Sequence, residues 1–124
     1  MEFREDFRVV MGGSRDWTDA DAIRSTLQML RPSFVGVGDC PTGADPIIRD
    51  ISKELGIPGR VYIADWGKFG RPAGPLRNRR MVESVKPSRV VGFLRSDREN
   101  RGTKNLLLLA ERSNISTIEI WRDK

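Results

Sequence analysis

Two segments of this chain carry residue types that hold a phosphate group. In the first, an apolar run ends at Gly12 and Gly13, and Ser14 and Arg15 follow shortly before a predicted helix. Glycines let backbone N–H groups approach an anion, a helix N-terminus adds partial positive charge, and serine and arginine add donors. The Gly-x-Gly-x-x-Gly spacing of dinucleotide-binding proteins is absent. Phosphate binding and a purely structural turn both stay open, because glycines end many strands.

The second segment is Arg101-Gly102-Thr103, which opens a predicted helix after a polar loop. The amides of Gly102 and Thr103, together with the threonine hydroxyl, can hold a phosphate in the same way. Arginines cluster at 71–80 and at 95–101, and both clusters lie beside glycine-containing loops. With a formal net charge of +5, this distribution favours an anion site, although a solvated basic surface is the common alternative.

Three aspartates lie where a carboxylate can touch a nucleotide. Asp39 follows the second predicted strand, where an acid often binds ribose hydroxyls, and turn hydrogen bonding explains it equally well. Asp45 lies in a first helical turn, where a carboxylate complements the helix dipole without any ligand. Asp65 ends the third predicted strand. In an enzyme, one of the three would be the base that hydrolyses an N-glycosidic or phosphate bond, and the nucleotide could bring Mg²⁺.

The absence of histidine removes imidazole bases, His-containing triads and His zinc sites. The single Cys40 can form neither an internal disulfide nor a thiolate metal site, and we expect a small buried side chain there. No protein-bound metal is predicted. Trp17 and Trp66 are expected to pack under the loops, with base stacking as the alternative. Aromatic residues make up only 7% of the chain, which makes single-stranded nucleic acid the less favoured partner.

Apolar patterning alternates between strands and helices along the chain. Strands are predicted at 7–11, 34–38, 60–64, 88–94 and 116–121, with a helix between each strand and the next. Short connections favour a Rossmann-like, doubly wound parallel sheet of five strands in the order 3-2-1-4-5, with helices on both faces. In that order strands one and four meet at the switch point, where ligands bind at the carboxyl ends of the strands.

Local signals add further expectations. Thr18 opens a capping box at the first helix, and Pro75 takes the first position of the third helix. Asn78 lies on the buried stripe of that third helix, so its amide needs partners from loop backbone or from a ligand. Arg79 can pair with Glu83 one turn further on.

The chain of 124 residues is predicted to be one domain, 1–124, with one core. It has no apolar run near the roughly 20 residues of a membrane span, and residues 1–6 carry mixed charge without the apolar core of a signal peptide. A cytoplasmic protein is the expectation. The fourth helix is apolar nearly all round at 106–109, so either the sheet or a second subunit should cover more than one of its sides.

Five collinear segments resemble the SLOG superfamily of Rossmann-like domains, and within it the small single-domain bacterial and phage branch related to YpsA. In order they are residues 13–17 (GSRDW), 38–45 (GDCPTGAD), 64–66 (ADW), 73–81 (AGPLRNRRM) and 101–103 (RGT). The resemblance implies a domain that binds or processes nucleotides or nucleotide-derived ligands. It also implies a homo-oligomer, a dimer or higher, located in the host cytoplasm if a phage encodes it.

Superfamily members that release a base from a nucleoside monophosphate, the cytokinin-activating phosphoribohydrolases, have a catalytic glutamate after their Gly-Thr pair. Leu106 stands at that position here, and leucine cannot act as an acid or a base. The resemblance therefore implies a ligand class and leaves open whether the chain is an enzyme.

Residue types and resemblance together rank three functions. The first is binding of a nucleotide or nucleotide-derived ligand, for sensing, sequestering or processing it; the second is a nucleotide hydrolase; the third is single-stranded nucleic-acid binding. The candidate ligand-binding residues lie at strand ends, in the turns after them or in the helix starts that follow: Gly12, Gly13, Ser14, Arg15, Gly38, Asp39, Gly43, Asp45, Arg77, Asn78, Arg101, Gly102 and Thr103.

Overall fold

Five strands form one parallel sheet in the computed structural model, which describes residues 5–123. The strand order is β3-β2-β1-β4-β5, and all four neighbouring pairs are parallel, which confirms the predicted sheet and its order. The strands are β1 (Arg8–Gly13), β2 (Phe34–Gly38), β3 (Gly59–Tyr62), β4 (Arg89–Arg95) and β5 (Ser116–Arg122). The helices are α1 (Ala20–Leu30), α2 (Ala44–Glu54), α3 (Trp66–Phe69), α4 (Ala73–Val85) and α5 (Arg101–Arg112). Residues 1–4 of the N-terminal segment lie outside the described residues.

Helices cover both faces of the sheet, and β1 is therefore apolar on both sides. Val9 and Met11 belong to the core formed with α1 and α2, whereas Val10 belongs to the core formed with α4 and α5. Trp17 packs in the first of these cores against Phe93, with 5.3 Å between the ring centroids. A continuous apolar run, rather than an alternating one, is what a central parallel strand requires.

Two details near β1 differ from the sequence expectations. Gly12 and Gly13 are the last residues of the strand, paired in register with Gly92 and Phe93 of β4, and do not form the turn itself. Asp19, and not Thr18, caps α1, because its Oδ1 accepts a hydrogen bond from the Ala22 N–H at 3.0 Å. Residues 14–19 therefore separate the strand from the helix.

The segment between β3 and α4 also differs, since it contains the short helix α3 where a loop was expected. β3 ends at Tyr62 instead of residue 64 because β2, its neighbour in the sheet, ends at Gly38, which is paired with Tyr62. The predicted third helix is therefore α4. It starts at Ala73, so Pro75 is its third residue and not, as was expected, its first. Proline is tolerated there because the amides of a first helical turn have no partner inside the helix.

The apolar run on α5 is covered on one side. Leu106 and Leu107 are buried in the core, whereas Leu108 is 43% exposed. Among residues 5–123, no helix has the length and hydropathy needed to cross a bilayer.

Candidate functional site

Most of the candidate residues gather at the carboxyl edge of the sheet. Two segments contain the proposed phosphate residues: the β1 turn (residues 12–15), made of the last two residues of β1 and the two that follow it, and the α5 turn (residues 101–103), the first residues of the helix after β4. The strands β1 and β4 are neighbours at the switch point. The carboxyl end of β2, followed by α2, lies on the other side of β1. Strand order alone thus places both proposed phosphate segments beside each other.

The β1 turn is closed by its own hydrogen bonds. The Ser14 N–H donates to the Phe93 carbonyl at 2.8 Å, and the Ser14 hydroxyl accepts from the Asp16 N–H at 3.1 Å. The Ser14 carbonyl accepts from two further amides, those of Trp17 and Ala44, both at 3.1 Å. Because Ser14 is also buried, its polar groups hold the turn together.

The start of α2 packs directly on the β1 turn. A Cβ built on Gly13 would lie 2.6 Å from the Ala44 Cβ and 2.7 Å from the Phe93 carbonyl oxygen. Gly43 has a φ of +80°, and a Cβ there would lie 2.2 Å from the Ser14 carbonyl oxygen. Glycine is thus required at both positions by backbone packing, which is the structural alternative left open by the sequence.

Arg15 is the exposed part of the β1 turn. Its carbonyl accepts a hydrogen bond from the Thr42 hydroxyl at 3.0 Å, which ties the turn to the segment before α2. Its side chain forms no ion pair with any described residue. Arg15 therefore offers a free guanidinium at the rim of this edge.

A polar network links three elements across the edge: the end of β2, α4 and the start of α5. Arg77 of α4 donates from Nη1 to Asp39 Oδ1 at 2.8 Å and from Nε to Asn78 Oδ1 at 2.9 Å. Asn78 then donates to the Gly102 carbonyl at 3.1 Å and to Asn105 Oδ1 at 3.0 Å. Asn78 is buried, as predicted, and its partners are the α5 turn and two side chains.

Asp45 is a buried carboxylate next to this network. It accepts a hydrogen bond from the Cys40 N–H at 3.2 Å, and both its Oδ2 and Arg77 Nη1 lie within 3 Å of where a Gly38 Cβ would stand. Burial raises the pKa of Asp45 to about 6, against the opposing effects of the Cys40 hydrogen bond and the Arg77 charge. Because Gly38 has no side chain, the Arg77 guanidinium and the Asp45 carboxyl group can both lie against its backbone.

The α5 turn is open, in contrast to the β1 turn. The N-cap residue Asn100 makes no capping hydrogen bond, because its side chain binds the backbone of Arg95 and Arg98 instead. A Cβ built on Gly102 would meet nothing within 4 Å, and Gly102 is not in the left-handed φ region. Thr103 is buried, with its methyl group 3.0 Å from where a Gly92 Cβ would stand.

The arginines at 95–101 mostly bind carboxylates of the same edge. Arg95 forms a two-bonded contact with Asp97, at 2.9 and 2.6 Å, and also donates to the Asp16 carbonyl at 2.8 Å. Arg98 binds the Asp16 carboxylate at 2.9 Å, whereas the pair of Arg101 with Glu99 is fully exposed. This cluster fixes the loop that leads into α5, and only Arg101 is held by a weak surface pair.

Asp65 lies apart from the network and caps α3, where its Oδ1 accepts from the Lys68 N–H at 3.0 Å. The expected pair of Arg79 with Glu83 is not among the ion pairs of residues 5–123; both side chains are exposed. Within those same residues, no group of three or more His, Cys, Asp or Glu side chains is arranged to hold a metal ion.

Sequence reasoning missed one residue of this edge and expected a packing role for a second. Asn105 was missed because nothing in its neighbourhood predicts a bond to Asn78, which lies 27 residues earlier. Trp66 was expected to be packing, but it is 55% exposed, unlike the core residue Trp17 at 2%. Its place in a glycine-rich segment after a strand was the available signal.

No family model, curated protein or solved structure matches this chain.

Proposed function

We propose that this domain binds a nucleotide or nucleotide-derived ligand at the carboxyl edge of its sheet, with a phosphate at the α5 turn. Gly102 is the observation that carries the proposal. A glycine in a helix lowers stability by up to about 1 kcal/mol relative to alanine, and neither φ nor packing requires one at this position. A ligand that approaches the backbone closely is a physical reason for the missing side chain.

The surroundings of Gly102 suit an anion. The N-terminus of α5 has no side-chain cap, so its first amides and its dipole are available to a phosphate. Arg101 and Arg15 add exposed guanidinium groups on either side, and arginine forms two-bonded contacts with phosphate. The resemblance to the SLOG superfamily supports the same ligand class, and with it the expected homo-oligomer. The cytoplasmic location stays an expectation from the sequence composition.

A thermal-shift panel tests this proposal. Nucleotides, cyclic nucleotides and ADP-ribose derivatives are added to the wild type, to Gly102→Val and to Arg112→Val, at two salt concentrations. A ligand that binds only the folded state must raise the unfolding temperature. We expect at least one nucleotide to do so in the wild type and in Arg112→Val, which puts the same residue at the other end of α5, but not in Gly102→Val.

Two outcomes would refute nucleotide binding at the α5 turn. One is that no member of the panel stabilises the wild type. The other is a stabilising nucleotide whose effect is the same in Gly102→Val. A shift seen only with single-stranded oligonucleotides and abolished by salt would instead support nucleic-acid binding, which has less support because Arg95 and Arg98 already bind carboxylates.

A nucleotide hydrolase is the second candidate, and Asp45 favours it. A buried carboxyl with a pKa of about 6 can both accept and donate a proton near neutral pH. Of the three candidate aspartates, Asp39 is held by Arg77 and Asp65 caps α3, which leaves Asp45 as the acid–base group. Product analysis after incubation with a bound nucleotide should then show hydrolysis by the wild type and none by Asp45→Asn. If the nucleotide stays intact with both proteins, the hydrolase proposal is wrong and the binding proposal is unaffected.

A further inference from the structure

The exposed side chain of Trp66 lies against the first turn of α4. Its ring atoms Cη2 and Cζ2 lie 3.2 and 3.6 Å from where a Gly74 Cβ would stand. Gly74 is in the first turn of α4 and is not in the left-handed φ region. As at Gly102, the backbone does not require this glycine; here it lets an indole ring lie close against the helix.

This contact between Trp66 and Gly74 is next to the polar network of the carboxyl edge. Gly74 and Arg77 are three residues apart on α4, and side chains at this spacing are neighbours, with Cβ positions about 5–6 Å apart. The strand end before Trp66 is tied to the same network, because the Ala64 N–H donates to Asp39 Oδ1 at 3.3 Å. Asp39 thus contacts both Arg77 and the segment that carries the tryptophan.

The backbone that carries the ring is ordered by its own hydrogen bonds. The Asp65 side chain caps α3, the Gly70 N–H donates to the Trp66 carbonyl at 2.9 Å, and the Ala73 N–H donates to the Gly70 carbonyl at 3.0 Å. These bonds join α3 to the start of α4. Because this backbone is already ordered, a ligand that stacks on the ring does not have to order the segment that carries it.

We propose that Trp66 is the wall on which the base of the ligand stacks, so that the ligand carries an aromatic base in addition to its phosphate. This inference rests on the proposed function. Among nucleotide-derived ligands, it favours those that keep their base over sugar phosphates that have lost it. Stacking tolerates different bases because every base has a π-face. Trp66 sets affinity for the base, while the α5 turn binds the phosphate.

The experiment compares ligands with and without a base. Dissociation constants are measured by calorimetry for the four ribonucleoside 5′-monophosphates, for ADP-ribose and for ribose 5-phosphate. The proteins are the wild type, Trp66→Ala, Trp66→Phe and Trp121→Ala, which removes an exposed tryptophan from β5 at the opposite edge of the sheet. Fluorescence of Trp121→Phe, in which Trp66 is the only exposed tryptophan, reports contact with the ring.

We expect Trp66→Ala to bind nucleotides roughly ten- to a hundredfold more weakly and ribose 5-phosphate with unchanged affinity. Trp66→Phe should keep most of the affinity, and Trp121→Ala all of it. Nucleotides, but not ribose 5-phosphate, should quench the fluorescence of Trp121→Phe.

The failures of the two proposals are distinguishable. If nucleotides bind and their affinity does not change in Trp66→Ala, the stacking proposal is wrong while the proposed function stands. Loss of an oligomer in Trp66→Ala with unchanged nucleotide affinity would instead assign the ring, with its exposed neighbours Ile63 and Phe69, to an interface between copies. If no ligand binds the wild type, both the proposed nucleotide binding and the stacking on Trp66 are wrong.

Discussion

The β1 turn and the α5 turn contain the same kinds of residues, but the first is closed by hydrogen bonds and packing whereas the second is open. Each has a glycine followed by a hydroxyl residue with an arginine alongside, and each follows a central strand. In the β1 turn, the N–H, the carbonyl and the hydroxyl of Ser14 all bind neighbouring residues. In the α5 turn, the helix has no side-chain cap and the space beside Gly102 is empty.

This difference shows that the glycines at this edge have two separate uses. At Gly13, neighbouring protein atoms fill the space that a side chain would occupy, so the glycine serves packing. At Gly102, no protein atom does, so the glycine leaves backbone amides accessible. The two cases predict effects of opposite sign when a methyl group is added.

The largest expected effect comes from adding that methyl group to the closed turn. Gly13→Ala places a Cβ against the Ala44 Cβ and the Phe93 carbonyl, and neither can move without shifting the backbone. We expect the free energy of unfolding to fall by more than about 3 kcal/mol, because three protein atoms lie within 2.8 Å of that Cβ. Gly102→Ala should leave it unchanged or raise it by up to about 1 kcal/mol, because alanine favours helix. Urea denaturation of both variants measures the two free energies of unfolding. Equal changes would show that Gly13 and Gly102 do not differ in their need for a missing side chain.

A second prediction concerns Asp45, which lies at the helix that packs on the closed turn. Its pKa is about 6 in the folded protein and 3.8 in the unfolded chain, so the folded state binds the proton more tightly. The free energy of unfolding should therefore fall as the pH rises from about 3.8 to about 6, by about 3 kcal/mol, and then stay level.

Asp45→Asn should remove this dependence and make the protein more stable than the wild type above pH 6. Asp50→Asn, at an exposed position of the same helix, is the control and should keep the wild-type profile. Denaturation midpoints between pH 3 and pH 8 give both profiles. A wild-type profile in Asp45→Asn would mean that another group titrates.

The smallest of the three effects belongs to Asn78, which ties the open turn to Arg77. Asn78→Ala leaves the Gly102 carbonyl and Arg77 Nε without these partners, and we expect a loss of about 1–3 kcal/mol in the free energy of unfolding. Asn105→Ala removes only one of the Asn78 bonds and should cost less. Equal losses in the two variants would show that the Asn78 bonds to Gly102 and Arg77 add nothing beyond the bond to Asn105.

Much of the fold could be predicted from local patterns. The apolar run of β1 and the alternation of strands with helices determine a parallel sheet, and short right-handed connections limit its strand order. The buried amide of Asn78 was also predictable, because it lies on an apolar helical stripe. The length of β3 was not, since a strand extends only as far as its partner, and β2 ends at Gly38.

The sequence by itself determined the order of the five strands and the four long helices, the topology of the sheet and most of the residues that reach its carboxyl edge. Only the tertiary structure decided which of the two glycine turns is closed, that Arg77 binds Asp39, and that Asp45 is buried enough to hold its proton near pH 6. The physical reason is that these properties depend on neighbours distant in the chain. Arg77 and Asp39 are 38 residues apart, and the cost of burying a charge depends on every element packed around it.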